Sequence, residues 1–385
     1  MLNNLHYFAF LLLFLIGCNS RKGHQEKFTL AYQNDSVNIH LDNTAKNFSI
    51  DFQYVEPSEV NDPLLVIQGS GKFEFYDLTL QKLIKTLPIS SEGNNALPDV
   101  DGFVIGNSDT IFAISPFLNQ IAVIDRDGKV IKRLRFGDDT GTISTRPAAY
   151  GFHRPVLLDD KIRINYNLVN VETSGILTSE QQKKSHLYID VNLRTGQTVQ
   201  SSLKYPEELI GKDISGADYR HTVGYNKSLV YCFGLTDSLH VSEDHKTFKK
   251  VIIETDYKLR LINNFWKYFV GDMDVRFNYL FNCDEFRDII YDKYRECYYL
   301  VIRKRMKEAG RHVDYMINML FPDCFIIILD KNLRPMGEVS FPNDTYSFQM
   351  MFVAPEGLYI SEDHPNNPDF DEDFMRFRLF KLTKL

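Results

Sequence analysis

Residues 109–136, DTIFAISPFLNQIAVIDRDGKVIKRLRF, decide the fold class. The stretch holds three β-runs, 110–114, 120–125 and 129–136. Ser115-Pro116 and Leu118-Asn119 break the first pair, and Asp127-Gly128 breaks the second. An Asp-Gly pair between apolar runs is a two-residue hairpin signal, because its residues accept the positive φ that matches strand twist. In the last run Val130, Lys132, Leu134 and Phe136 share one face, and Ile131, Arg133 and Arg135 share the other. That is the period of a strand with one wetter side. A three-strand meander is marginal alone, so this one must pack on others like it.

Similar meanders recur along the chain. The runs 64–68, 72–77 and 82–89 form one, and a third ends in 185–190 and 197–203. A fourth is 229–233, 238–242 and 248–253, and a fifth is 296–303, 324–330 and 336–341. The sixth is 348–353, 358–361 and 375–384. An apolar run closed by an acid and a polar turn appears at Asp77, Asp125, Asp190, Asp244 and Asp330, at spacings of 48, 65, 54 and 86 residues. Periods near 40 to 50 residues mean propeller blades. The expected fold is therefore an all-β propeller of six blades. Inserts are expected over 137–184 and 255–292, the second with room for a seventh blade, and helix should be confined largely to them. The runs 28–32, 37–41 and 48–55 are expected to complete the sheet of the last strand and so close the ring.

Composition agrees with a large folded core. Of 385 residues, 44% are hydrophobic and 25% charged, with 29 Phe and 21 Tyr of the kind pleated sheets favour. A net charge of −7 argues against a phosphate-binding surface, so nucleic acid is not an expected partner.

The first residues read as a targeting segment. Residues 7–17 are an unbroken apolar or small run, too short to span a bilayer as a helix. It ends Leu15-Ile16-Gly17-Cys18, which resembles the lipobox of bacterial lipoproteins, although residues 1–6 hold no Lys or Arg. The resemblance implies cleavage before Cys18 and a lipid on its thiol. The expected organisation is a signal peptide at 1–17, a polar tether at 18–27 and the propeller at 28–385. Several acyl chains at about 0.8 kcal/mol per buried CH₂ make a stable membrane anchor without a transmembrane helix. No aspartate follows Cys18 directly and the tether lacks an acidic cluster, so the expected address is the periplasmic face of the outer membrane, ahead of the cell surface.

The lipobox at Cys18, the string Ile290-Tyr291-Asp292-Lys293-Tyr294-Arg295 leading into Tyr298-Tyr299, and Ile327-Ile328-Leu329-Asp330 together resemble a family of Bacteroides-type lipoproteins, the domain of unknown function 4221. The resemblance implies a six-bladed propeller over most of the mature chain. It carries no catalytic residues to transfer.

Candidate chemistry is sparse. Cysteines at 232, 283, 297 and 324 form no C-x-x-C pair. Cys232 and Cys324 sit in apolar runs and are expected as buried thiols, while Cys283 and Cys297 are the expected pair if a disulfide forms. Asp369, Asp371 and Asp373 alternate as calcium-loop ligands do, but no glycine sits at the sixth position and Phe380 stands at the twelfth. A solvated hairpin loop is the plainer reading. Arg303, Lys304, Arg305, Lys307, Arg311 and His312 form a basic cluster that could meet an anionic headgroup or glycan, against the plainer reading of hydrated loop charges. His153 and Arg154 in Gly151-Phe152-His153-Arg154-Pro155 could line a channel mouth, against a packed loop. No G-x-S-x-G, P-loop, H-E-x-x-H or Rossmann fingerprint occurs, and no cofactor is expected. The first functional expectation is a propeller that binds a protein, peptide or glycan through a loop-bearing face. The rival is a metal-dependent hydrolase of the propeller lactonase kind, with Asp, Glu and Asn from several blades on one cation.

Overall fold

The computed structural model describes residues 27–385 apart from 43–44, 58–61, 70, 108, 116–117, 137–143, 149–153, 170–177, 212–218, 235, 258, 260–281, 306–316 and 318–319. Its strands group into six antiparallel sheets. After β1 (Phe28–His40), blade one holds β2 (Phe52–Val55), β3 (Leu64–Gly69), β4 (Lys72–Asp77) and β5 (Lys82–Pro88). Blade two holds β6 (Phe103–Asn107), β7 (Thr110–Ser115), β8 (Gln120–Asp125) and β9 (Val130–Arg135). In blade three β10 (Ser144–Ala148) and β11 (Val156–Leu158) both pair with β12 (Lys161–Val169), followed by β13 (Tyr188–Asn192) and β14 (Thr198–Gln200). Blade four is β15 (Tyr219–Val223), β16 (Leu229–Phe233), β17 (Ser238–Ser242) and β18 (Lys249–Ile252). Blade five is β19 (Glu285–Asp292), β20 (Cys297–Arg303), β21 (Cys324–Asp330) and β22 (Pro335–Ser340). Blade six is β23 (Ser347–Ala354), β24 (Gly357–Ser361) and β25 (Phe374–Lys384), with β1 as its fourth strand. The fold is a six-bladed β-propeller, as expected.

The blades pack through six apolar clusters, each shared by two neighbours. Val66 and Phe73 of blade one meet Ile111 and Ile124 of blade two, and Ile114 and Val123 of blade two meet Ile164 and Val191 of blade three. The series runs on round the ring and ends where Ile39, Met350 and Phe377 of blade six meet Leu65 and Tyr76 of blade one. A sheet covered on both faces needs apolar residues on both, which is why β20 (CYYLVIR) and β21 (CFIIILD) are nearly continuous hydrophobic runs.

Tight turns join the strands on one face of the ring. In blades one, two, three and five the side chain that ends the third strand, and in blade four the one two residues beyond it, accepts backbone N–H from the turn, an Asx-type closure. Asp77 accepts from Leu80 at 2.7 Å, and Asp125 from Asp127 and Lys129 at 3.0 and 2.9 Å. Asp244 accepts from Lys246 and Thr247 at 2.8 and 2.9 Å, and Asp330 from Asn332 and Arg334 at 2.8 Å each. The N–H groups of Thr247 and Lys246 hold the Asp244 carboxyl well below the usual carboxylate range. In blade three the closing residue is Asn192, which accepts from Arg194 and Thr195 at 3.0 Å each. Asp190, expected in that role, lies two residues earlier and instead forms a two-pronged buried pair with Arg163 at 2.7 and 2.8 Å.

Three boundaries differ from expectation. The run 48–55 does not join the last sheet; its ordered part, β2, is the first strand of blade one. The insert placed over 137–184 contains β10, β11 and β12, as well as a short helix, α1 (Ser179–Lys184), capped by Thr178. The insert placed over 255–292 ends in β19, so its described strand belongs to blade five and not to an extra blade. No helix among the described residues is long and apolar enough to cross a membrane.

The disulfide expectation fails for a topological reason. Cys283 lies in the apolar cluster between blades three and four, and Cys297 in the one between five and six. The eight residues of β19 lie between them, about 26 Å at ~3.3 Å per residue, far beyond the ~7 Å that a bridge tolerates. All four described cysteines are buried thiols.

Ring closure depends on β1 pairing with β25, from Phe28 opposite Lys384 to His40 opposite Phe374. There Gly337 of β22 packs against the first residue of β1, and a Cβ on it would lie 1.9 Å from the Phe28 carbonyl oxygen. That oxygen is backbone in a paired strand and has no rotamer to escape through. Gly337→Ala is therefore expected to destabilise the protein by about 1–3 kcal/mol, the usual range for overpacking, seen as a lower midpoint in thermal or urea melts. An unchanged midpoint would show that the start of β1 is not seated here.

Candidate functional site

The first strands of the blades surround the axis: β2 lies against β23 and β6, β6 against β11, and β19 against β15 and β23. Each has one ladder partner and turns its other edge toward the axis, so those backbone groups need other partners. Side chains supply some of them. Gln53 Oε1 accepts the Ile105 N–H at 2.8 Å, from blade one to blade two. Arg154 Nη2 donates to the Gln349 carbonyl at 3.4 Å, from blade three to blade six.

Between these strands lies a cavity of about 370 Å³ lined by residues 50–53, 103–106 and 154–157. Its apolar side chains come from Phe52, Phe103, Val104, Ile105, Val156 and Leu157, and Asp51, Gln53 and Arg154 are the polar side chains. The Arg154 guanidinium sits over the Phe52 ring, 4.6 Å from its centroid. Arg154 precedes β11, in the gap where the inner edge of blade three passes from β10 to β11. On the turn side, Tyr294 donates to Glu56 at 2.8 Å and Lys293 pairs with the same carboxylate, linking blades five and one beneath blade six.

The two faces of the ring differ. Connections within blades on the turn face are short, such as 78–81, 126–129 and 331–334. The connections 89–102, 201–218, 253–284, 304–323 and 362–373 all leave and rejoin the ring on the opposite face, as antiparallel order requires. The cavity runs along the inner strands: residues 50–53 begin β2 on the loop side, 103–106 make up most of β6, and 154–157 reach β11 near the turn face.

The sequence candidates distribute unevenly over this frame. Arg154 is placed in the cavity wall; His153 lies outside the described residues. Arg303 is not a loop charge. It is buried in β20 and pairs through Nε with Glu285 at 2.8 Å. Arg305 gives its backbone N–H and its guanidinium to Asp284 at 2.9 and 2.6 Å. Both cations serve internal ion pairs, so the structure does not gather them as a surface anion site; Lys307, Arg311 and His312 lie outside the described residues. Asp369, Asp371 and Asp373 are exposed in the 362–373 loop. Asp371 Oδ1 accepts the Asp373 N–H at 3.0 Å, and the Asp369 N–H goes to Asn367 at 3.0 Å. Among the described residues no three His, Cys, Asp or Glu side chains converge as metal ligands would. Cys18 lies outside the described residues. Asp51, Phe52 and Gln53 were missed by sequence reasoning; the available signal was their place at the start of a blade's first strand.

Asp363 anchors the base of the acidic loop. It is 1% exposed and accepts the Arg376 N–H at 2.7 Å and Arg376 Nε at 2.9 Å. Burial raises its carboxyl to about 6 in spite of Arg376. Between the unfolded value of 3.8 and about 6 the folded state keeps a proton that the unfolded chain has lost. This group's contribution to stability is therefore full below pH 4, falls as pH rises toward 6, and is level above it, a span of roughly 3 kcal/mol. The stability of the protein relative to its Asp363→Asn variant is expected to fall over that window in urea melts at stepped pH. A difference that is flat from pH 4 to 7 would contradict this.

A family model described as Domain of unknown function (DUF4221) matches residues 27–340. The crystal structure of a member of that family from Bacteroides vulgatus superposes with a TM-score of 0.81 at 24% identity, covering 94% of this chain and 100% of that one. A Bacteroides fragilis protein whose printed description is "Putative exported protein" is similar with a TM-score of 0.50 at 10% identity, covering 95% of this chain and 98% of its own. No curated protein matches the sequence.

Proposed function

The chain belongs to the DUF4221 family, and from that premise we propose that it is a cell-envelope lipoprotein, anchored through Cys18, whose loop face binds a protein, peptide or glycan. One observation carries the reading: β1 enters the ring on the turn face, opposite the long connections. The first pair of the seam, Phe28 with Lys384, lies at that end, where Leu385 also donates to the Lys27 carbonyl at 2.8 Å. A lipid on Cys18 followed by the polar tether 18–27 then holds the turn face toward the membrane. The ten tether residues reach about 35 Å when extended. The loop face points away, toward whatever the protein meets. The Bacteroides fragilis protein of that description and like fold supports an envelope address, and the periplasmic side of the outer membrane is the leaflet we favour.

Cys18→Ser tests the anchor. A serine hydroxyl is a far weaker nucleophile than a thiol, so metabolic fatty-acid labelling is expected to vanish and uncut precursor to accumulate. The thermal midpoint of the folded body is expected to stay unchanged. Continued labelling of the Ser variant, or a mature protein starting at another residue, would refute the anchor. The face is tested separately with photo-crosslinkers in cells. Exposed Glu92 and Asp371 on the loop face are expected to capture a partner, and exposed Asp127 on the turn face is not. The reverse pattern would refute the proposed orientation.

A further inference from the structure

We infer that a slot on the turn face, between blades one and two, binds a free monocarboxylate with a compact aliphatic chain, the chain entering the slot and the carboxylate meeting the ammonium group of Lys85. The inference is independent of the anchor and of any macromolecule on the loop face; it concerns the opposite face of the ring and a second, smaller hollow.

The slot opens where strands of both blades reach the turn face. Val55 ends β2, Leu64 begins β3, Asn107 ends β6 and Thr110 begins β7. Its walls are mainly apolar, with Val55, Leu64, Val66, Phe75 and Leu87 from blade one and Ile111 from blade two. All six belong to the apolar cluster that the two blades share or pack against it, so the slot is a gap at the turn-face end of that cluster. Its volume is about 120 Å³. An apolar cavity of about 150 Å³ takes up benzene, so this one has room for about five carbon atoms.

The charge at the mouth decides what kind of chain enters. Lys85 is half-buried, and two other lining residues locate its Nζ: it donates to the Arg126 carbonyl and lies 5.5 Å from the centroid of the Phe75 ring. Both partners are neutral, and among the described residues Lys85 has no carboxylate partner. The other two charges of the lining answer each other, since Arg126 and Asp109 approach to 3.9 Å with both side chains well exposed. The lining therefore carries one cation in excess. Charge-assisted hydrogen bonds are about twice as strong as neutral ones, so a carboxylate improves on the carbonyl that Lys85 now holds.

The two parts together select the class. Apolar walls favour a saturated chain, which leaves water on entering. A polar group on that chain would be buried against Val55, Val66 and Phe75 without a partner. The end of a peptide offers the same chain and carboxylate but sets an amide beside them, against the ring of Phe75, which cannot satisfy it. The free acid is therefore the occupant. No covalent step is implied; the site binds.

The test is calorimetric titration of the purified protein with isovalerate, isocaproate and hexanoate. Beside them stand acetate, which lacks the chain, isocaproamide, which lacks the charge, and N-acetyl-leucine, which mimics a peptide end. Saturable binding by at least one of the three acids is expected, weakened tenfold or more in each of the three comparison compounds. Lys85→Gln should bring isocaproate down to the level of its amide, while Lys85→Arg should keep the preference for the acid. Asp109→Asn, which frees Arg126, should bind the acids at least as tightly as the natural protein. No saturable binding by any of the three acids, a smaller loss in any comparison compound, or a preference for the acid that survives Lys85→Gln would overturn the inference. Because the panel on the natural protein can already refute it, a variant that fails to fold does not rescue it. Failure of this panel leaves the Cys18 and crosslinking results standing, and their failure leaves the panel standing.

Discussion

Apolar packing between neighbouring blades is the interaction on which everything else depends. No blade has a core of its own: each sheet is covered on one face by the blade before it and on the other by the blade after it. Tyr299 and Ile326 pack toward blade six, while Tyr298 and Ile327, next to them in the chain, pack toward blade four. A sheet with two apolar faces is stable only between two others, so an open row of blades would always leave one face bare at each end. Closing the ring removes both bare faces at once. The polar requirements then fall into place around it: turn backbones are held by Asp or Asn at the rim, and some inner edges by side chains such as Gln53 and Arg154.

The fold was legible because that packing writes itself into the chain as repeated apolar runs ending in an acid. The reading slipped where the chemistry was shared by two residues. Asp190 and Asn192 both suit a turn, and only the register showed that Asn192 caps it while Asp190 answers the charge of Arg163, whose guanidinium lies 3.5 Å from the centroid of the Tyr188 ring. First strands were harder to see than the others. β15 and β19 follow long connections that set them apart from the meanders they belong to, and β11 is only three residues long.

The candidate site was mostly illegible for a related reason. Its lining comes from three blades, each giving a few residues at the start of an inner strand, so nothing in the linear order brings Asp51, Ile105 and Arg154 together. Arg154 stood out only as a guanidinium beside a proline at a blade start. The basic and acidic stretches that did stand out, around Arg303 and Asp369, are explained locally by ion pairs and loop hydrogen bonds. Local charge density marked places where the chain satisfies itself, and the cavity arose from residues unremarkable in sequence.

The seam has a consequence in time. β1 is the first strand of the propeller to be synthesised, and its partner β25 is the last. Until the final residues are made, Phe28 to His40 has no neighbour in its own sheet and presents an unpaired edge. Closure therefore joins residues from opposite ends of the chain in one late, non-local step, the kind that slows folding and leaves the incomplete chain prone to wrong pairings. A tethered N-terminus would keep that waiting strand in one place, so that the last blade returns to a fixed end instead of searching for a free one.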